Sequence, residues 1–176
     1  MEKSLTDQYK NMIRRTDQAV MNLFNDLSVV CEKGERHSVP CLWGTEERCL
    51  AAITTTKTTD EGATIDSVKL PMVSVYSVRL HPDFDPEYER EKGDPVQFTI
   101  RYQIFSHNMW REEANQIIEQ MLFNLGNPVF VDQGDGWVTR ITLNHVDFHG
   151  EKQAGPANVI KDQFVVYAEV NYKRAD

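Results

Sequence analysis

The sequence has 176 residues, 40% of them hydrophobic and 26% charged, with a formal net charge of −8. A chain of this length suits one globular domain that buries roughly 70% of its unfolded surface, so neither a disulfide nor a metal is needed to hold it. The acidic surplus argues against non-specific DNA or anionic-membrane binding, and the apolar runs are too short for a signal peptide or membrane span, so a soluble protein of the reducing cytoplasm is expected.

In chain order, Leu5, Tyr9, Met12, Ile13, Val20, Leu23, Phe24 and Leu27 recur at three- and four-residue steps, which predicts a long amphipathic helix from Leu5 to Leu27. Ser4 or Thr6 is its expected cap, Asp7 falls in its first turn, and Lys10, Asn11, Arg14, Arg15 and Gln18 form its polar side. Two strand-like runs follow, 29–31 and 37–43, joined through Glu32, Lys33, Gly34, Glu35 and Arg36 as a hairpin with glycine in the turn. Pro40 restricts the second run to an edge or a bulge. A short helix is expected from about Thr45, with Glu46 and Glu47 at its positive end and Cys49, Leu50 and Ile53 on its apolar side. The tract 54–67, TTTKTTDEGATIDS, has no period of either kind and reads as a long mobile loop.

Strand signals then dominate. Residues 68–80 are rich in Val, Met, Leu and Tyr, whereas 81–95 hold three prolines and six carboxylates and read as a solvated loop. Val96, Phe98, Ile100, Tyr102 and Ile104 alternate with Gln97, Thr99, Arg101 and Gln103, the pattern of a half-buried strand. The period then changes to that of a helix through Trp110, Ala114, Ile117, Ile118, Met121, Leu122 and Leu125, with Ser106 or Asn108 as cap and Gly126 and Pro128 as terminators. Residues 129–131 and 137–146 read as strands paired across Gln133, Gly134, Asp135 and Gly136. A mobile loop at about 149–158 leads to a last strand carrying Phe164, Val166, Ala168, Val170 and Tyr172. The order predicts one α+β domain over 1–176: a largely antiparallel, mixed sheet flanked by a long N-terminal helix and a central amphipathic helix.

Chemistry-bearing constellations are few. Cys31, Cys41 and Cys49 lack C-x-x-C spacing and read as buried free thiols, although a zinc site can be drawn by adding His37. Strand alternation would project His145, Asp147 and His149 to one side, two imidazoles and a carboxylate able to ligate a divalent metal, and this is the basis of an alternative reading as a small metal-dependent hydrolase. Against it stands the bland account, a polar strand end entering a loop. Glu87, Glu89 and Glu91 lie in the Pro-broken acidic loop, where solvation leaves them poorly placed for paired acid–base work. No nucleophile elbow is present, so no catalytic activity and no cofactor are expected. Trp110 falls in the helix register and is expected in the core, while Trp43 and Trp137 suit either core or a partner contact.

Several segments nevertheless form a recognisable series. Val20 to Leu27 (VMNLFNDL), Val39 to Glu47 (VPCLWGTEE), Leu70 to Val73 (LPMV), Tyr102 to Phe105 (YQIF), Glu112-Glu113, Ile117 to Leu122 (IIEQML) and Asn127-Pro128 resemble, in order, the tail-completion, tail-terminator and sheath-stabiliser proteins of contractile-tailed bacteriophages. The resemblance implies a non-enzymatic virion protein, assembled in the host cytoplasm, that forms a hexameric ring capping the head-proximal end of the tail. In that role it would end tube and sheath growth, stabilise the sheath and offer a docking surface to the neck or head-completion protein. Genomic DNA would pass through the lumen without specific binding, and no membrane is involved. For such a ring, the expected subunit or partner contacts are Trp43, Trp137, the tract with Lys57 and Asp60, the acidic loop with Glu87, Glu89 and Glu91, and the polar strand face of Gln97, Thr99, Arg101 and Gln103.

Overall fold

The computed structural model describes residues 11–82, 97–134, 137–154 and 157–172. Its elements run α1 (Met12–Asn22), β1 (Ser28–Val30), β2 (Arg36–Ser38), β3 (Cys41–Trp43), α2 (Glu46–Ile53), β4 (Thr54–Thr58), β5 (Thr64–Val68), β6 (Met72–Pro82), β7 (Phe98–Asn108), α3 (Arg111–Leu125), β8 (Val129–Gly134), β9 (Trp137–Ala154) and β10 (Ala157–Tyr172). Six strands form one sheet in the order β3-β6-β7-β10-β9-β8, while β1-β2 and β4-β5 are separate two-stranded hairpins. Every pairing in the large sheet is antiparallel except β3 with β6, so the expected mixed α+β architecture is present.

Alternation in β7 sets the layers. Phe98, Ile100, Tyr102 and Ile104 are buried, and their β10 partners Val170, Ala168, Val166 and Phe164 lie on the same face with Val73 and Val75 of β6. Against this face pack Val20 of α1, Phe24 just beyond its end, and Ile117, Met121 and Leu125 of α3, all within one hydrophobic cluster. Fully burying each side chain of this size contributes about 1.5–3 kcal/mol before ordering costs are subtracted. A polar tie accompanies the packing: the hydroxyl of the buried Tyr102 donates a 2.6 Å hydrogen bond to Asp17 Oδ1 and joins α1 to β7. Burial raises the Asp17 pKa, an effect that the Tyr102 hydrogen bond opposes.

Several expectations need correction. The described helix α1 spans 11 residues rather than the long run from Leu5; it follows Asn11, whose backbone is left-handed with φ 67°, while Ser4, Leu5, Thr6, Asp7 and Tyr9 lie outside the described residues. Ile13, counted in the apolar stripe, is half exposed because the buried positions are Met12, Thr16, Ala19 and Val20. Phe24 and Leu27 remain buried beyond the helix end, in the turn that leads to β1.

The tract 54–67 is a hairpin, β4 with β5, in register from Thr54↔Val68 to Thr58↔Thr64. It carries almost no apolar alternation because nearly all its side chains meet solvent on both faces. Residues 151–154 and 157–158 likewise continue the paired ladder of β9 and β10 instead of forming a loop, and 149–150 fall at a bulge within β9. Only 81–82 of the expected acidic loop is described, as the end of β6; Glu87, Glu89 and Glu91 lie outside the described residues.

Around α3, neither Ser106 nor Asn108 is the cap. Both are buried in β7, which runs on to Asn108, and the cap position falls to Trp110 in an extended conformation with no side-chain capping bond. Trp110 therefore never takes the helix register, and it is 56% exposed instead of in the core. Gly126 ends α3 at a point where a Cβ would meet the Leu122 carbonyl oxygen at 2.5 Å.

Candidate docking surfaces

The sheet face turned away from α1 and α3 is polar. By alternation it carries Thr99, Arg101, Gln103, Phe105 and His107 of β7 beside Lys161, Gln163, Val165, Tyr167 and Glu169 of β10. Of the expected contact residues here, Gln97 is exposed, while Thr99, Arg101 and Gln103 are half-buried within the chain itself. Arg140 and Glu169, directly opposed on β9 and β10, form a half-exposed ion pair at 2.6 Å.

One end of this face is closed by α2. Glu46, in its first turn, pairs with Lys161 Nζ through Oε2, and its Oε1 lies 3.2 Å from Nε2 of the buried His107. Lys161 also sits over the Phe105 ring at 4.1 Å from the centroid. Burial alone would raise the Glu46 pKa, but the contacts with His107 and Lys161 outweigh it and lower the value to about 2. Neither ring nitrogen of His107 makes a well-aligned hydrogen bond among the described residues, so its contact with Glu46 is one of proximity.

At the same end, on the core face, Arg111 Nη1 bridges both carboxylate oxygens of the fully buried Asp162 at 3.2 and 3.0 Å. The Arg111 guanidinium carbon also stands 5.7 Å from the centre of the exposed Phe148 ring. Met109, Trp110 and Phe148 are 42%, 56% and 68% exposed; the first two directly precede the partly exposed Arg111 in the chain and the third lies under its guanidinium. Aromatic side chains beside an arginine are the commonest anchors of protein interfaces.

The sheet's two edges form a second candidate surface. β3 pairs only with 73–75 of β6, and residues 76–82 have no further neighbour on that side among the described residues. Tyr76, Val78 and Leu80 are 41%, 44% and 43% exposed along this stretch. At the far end β8 is paired only with β9, leaving its outer edge without a strand partner among the described residues. Unpaired strand edges present backbone donors and acceptors to any added strand.

The remaining predicted residues are scattered. Trp43 is 41% exposed beside β6, with its ring 5.9 Å from Tyr76 and 6.3 Å from Tyr102. It is therefore partly core and partly edge. Lys57 and Asp60 are exposed on the β4–β5 hairpin. His145 Nε2 lies 3.1 Å from Asp147 Oδ2 on an exposed stretch of β9, and the side chains of His149 and Trp137 lie outside the described residues. Among the described residues, the donors close enough to share a metal are instead Cys31, Glu35 and His37. Cys41 and Cys49 are not in that group. Burial and the nearby Cys49 push the Cys41 thiol up to about 12, and burial also raises Cys49.

One feature escapes sequence inspection. Gln116 and Gln120 of α3 act as surrogate peptide groups on the edge of β1: the Gln116 amide accepts from Val30 N at 2.8 Å and donates to Val30 O at 3.0 Å. Gln120 does the same to Ser28, at 3.1 and 2.7 Å. The only sequence hint is their four-residue spacing, which puts both on one helix face.

No helix among the described residues is long and apolar enough to cross a membrane. In comparison with known proteins, the chain matches no family model and no curated protein.

Proposed function

We propose that this chain is a structural virion protein, a tail-completion or tail-terminator component that forms a six-membered ring at the head-proximal end of a contractile phage tail. The observation that carries the reading is the pair of open sheet edges at opposite ends of one sheet, β8 on one side and, on the other, β3 with the part of β6 that it leaves uncovered. A closed ring needs two different complementary patches on each subunit, and strand addition across such edges is one way to supply them. The segments that resemble the phage family support the same reading by their placement. VPCLWGTEE covers β3 and the start of α2, LPMV opens β6, YQIF lies in the centre of β7, and IIEQML is the packed stretch of α3.

In this role the ring ends tube and sheath growth, stabilises the sheath and presents the neck protein with a docking surface, all without catalysis. The acidic chain would line or flank the genome channel without holding DNA. The exposed Met109, Trp110 and Phe148 and the β4–β5 hairpin are its free surfaces for tail partners.

Electron microscopy of purified contractile tails lacking a cap, with and without added protein, tests the proposal. Rings at one tail end, with tails of fixed length, are expected. A protein that remains monomeric in the presence of tails and never decorates their ends would overturn it.

A further inference from the structure

The β1–β2 hairpin gathers three chemically different donors. Cys31 N donates to Glu35 O at 2.9 Å and Gly34 N to Cys31 O at 2.9 Å, a tight turn in which Gly34 takes φ 78°. Cys31 thus stands opposite Glu35, and Glu35 and His37, two residues apart on one strand, project to the same side. Their donor atoms, a thiol, a carboxylate oxygen and an imidazole nitrogen, all lie within 4.8 Å of one another. Glu35 Oε2 and His37 Nε2 are 3.7 Å apart. Arg36 pairs with Val30 and points to the opposite side of the hairpin, so it does not neutralise the group.

A fourth donor comes from α3. Glu113, Gln116 and Gln120 follow one helix face, and the two glutamines already grip Val30 and Ser28. Continuing that row by one helical step, about 4.5–6 Å, advances about one to two strand residues beyond Val30, past Cys31, while His37 stands opposite Val29. Glu113 lines the same groove of about 780 Å³ as Cys31 and His37.

We propose that Cys31, Glu35 and His37 form a binding site for zinc or a similar transition-metal ion, with Glu113 supplying the fourth ligand and so clipping the β1–β2 hairpin to the first turn of α3. Mixed thiolate, imidazole and carboxylate donors suit zinc. Bonds of about 2.0–2.3 Å place tetrahedral donors about 3.5 Å apart, so the donors of Cys31, Glu35 and His37, already within 4.8 Å of one another, need only small rotations to converge. Binding releases the Cys31 thiol proton to solvent while the imidazole binds in its neutral form. The site is independent of the ring reading, since a clip of this kind serves any protein that uses this hairpin.

The full chain, stripped with a chelator, is titrated with Co²⁺ and then with Zn²⁺. One equivalent of Co²⁺ is expected to give the absorption of a tetrahedral site with a thiolate-to-metal charge-transfer band, which Zn²⁺ then abolishes. Zinc raises the melting temperature. Cys31→Ser removes the charge-transfer band, and Glu35→Gln and His37→Asn each weaken Zn²⁺ binding about tenfold or more. Cys41→Ser leaves the spectrum unchanged. Absence of saturable one-equivalent binding, or a band that survives Cys31→Ser, overturns the proposal. The two strand substitutions keep it testable if Cys31→Ser does not fold, because unchanged zinc affinity in both also overturns it.

Discussion

Glu46 couples the fold to pH. Its pKa of about 2 in the folded chain lies below its ordinary value of 4.5, so the unfolded chain holds the proton more tightly. Its contribution to stability is therefore complete above about pH 4.5 and is lost as pH falls through about 2. Glu46→Gln should cost about 2 kcal/mol at neutral pH, the scale of hydrogen bonds to charged groups, and should flatten the fall in stability between pH 5 and pH 2. Urea unfolding of both forms across that range checks it, and equal slopes would mean that His107 and Lys161 do not hold Glu46 as described. None of these partners was legible in the sequence. Lys161 meets Glu46 across 115 positions and His107 is brought to it only by the register of β7 against β10. Likewise Asp162 reads as a polar residue in a strand, and its burial beneath Arg111 depends on where β7 ends.

Gln116 and Gln120 hold a strand edge with side chains instead of backbone. Each amide makes two bonds to β1, and losing one such bond costs about 1 kcal/mol. The double variant Gln116→Ala, Gln120→Ala should lose about 2–4 kcal/mol. It should also raise amide hydrogen exchange at Val30 above that of core β7 amides; unchanged protection would mean that water or another group replaces the clamp.

Elements with one buried face were the readable ones. The 98–104 alternation and the α3 stripe from Ala114 to Met121 follow from a period set by burial, whereas the β1–β2 hairpin was legible from the Gly34 turn alone, and its second run stops at Ser38 because 41–43 joins β6 instead. The β4–β5 hairpin was hidden because threonines on both faces meet solvent, so its strands carry no apolar period. The tip of β9–β10 was hidden because Gly150, Gly155 and Pro156 imitate a loop, while the ladder continues to Ala154 and Ala157 on either side. Trp110 misled because its spacing matches the helix, whereas its backbone is still extended. In the candidate surfaces, Trp43 and the exposed 54–67 tract could be singled out from sequence. The open edges could not, because openness depends on strand order rather than on any local run.

The β4–β5 hairpin has no place in the main hydrophobic cluster and forms a sheet of its own. Deleting 56–63 should change the stability of the rest by less than about 1 kcal/mol, since isolated two-stranded hairpins contribute little by themselves. Calorimetry checks this, and a collapse of cooperative unfolding would show that the hairpin braces the sheet. If the fold survives and tail-end decoration weakens, the hairpin is a contact surface. Net charge narrows the choice of partner in the same way, because an acidic protein docks most readily on a basic neighbour.

The strand order has a consequence for synthesis. β10, the last of the described strands in chain order, lies in the middle of the sheet between β7 and β9. While a ribosome is still extending the chain, β7 and β9 have no bridge between them, and β6–β7 and β8–β9 can form only as separate halves. The sheet becomes continuous only after residues 157–172 have left the exit tunnel, so a truncated nascent chain exposes two half-sheets whose new edges invite wrong pairing. Completion of the fold is thus tied to completion of translation through this strand, and incomplete chains are denied the two-ended sheet on which the proposed ring depends.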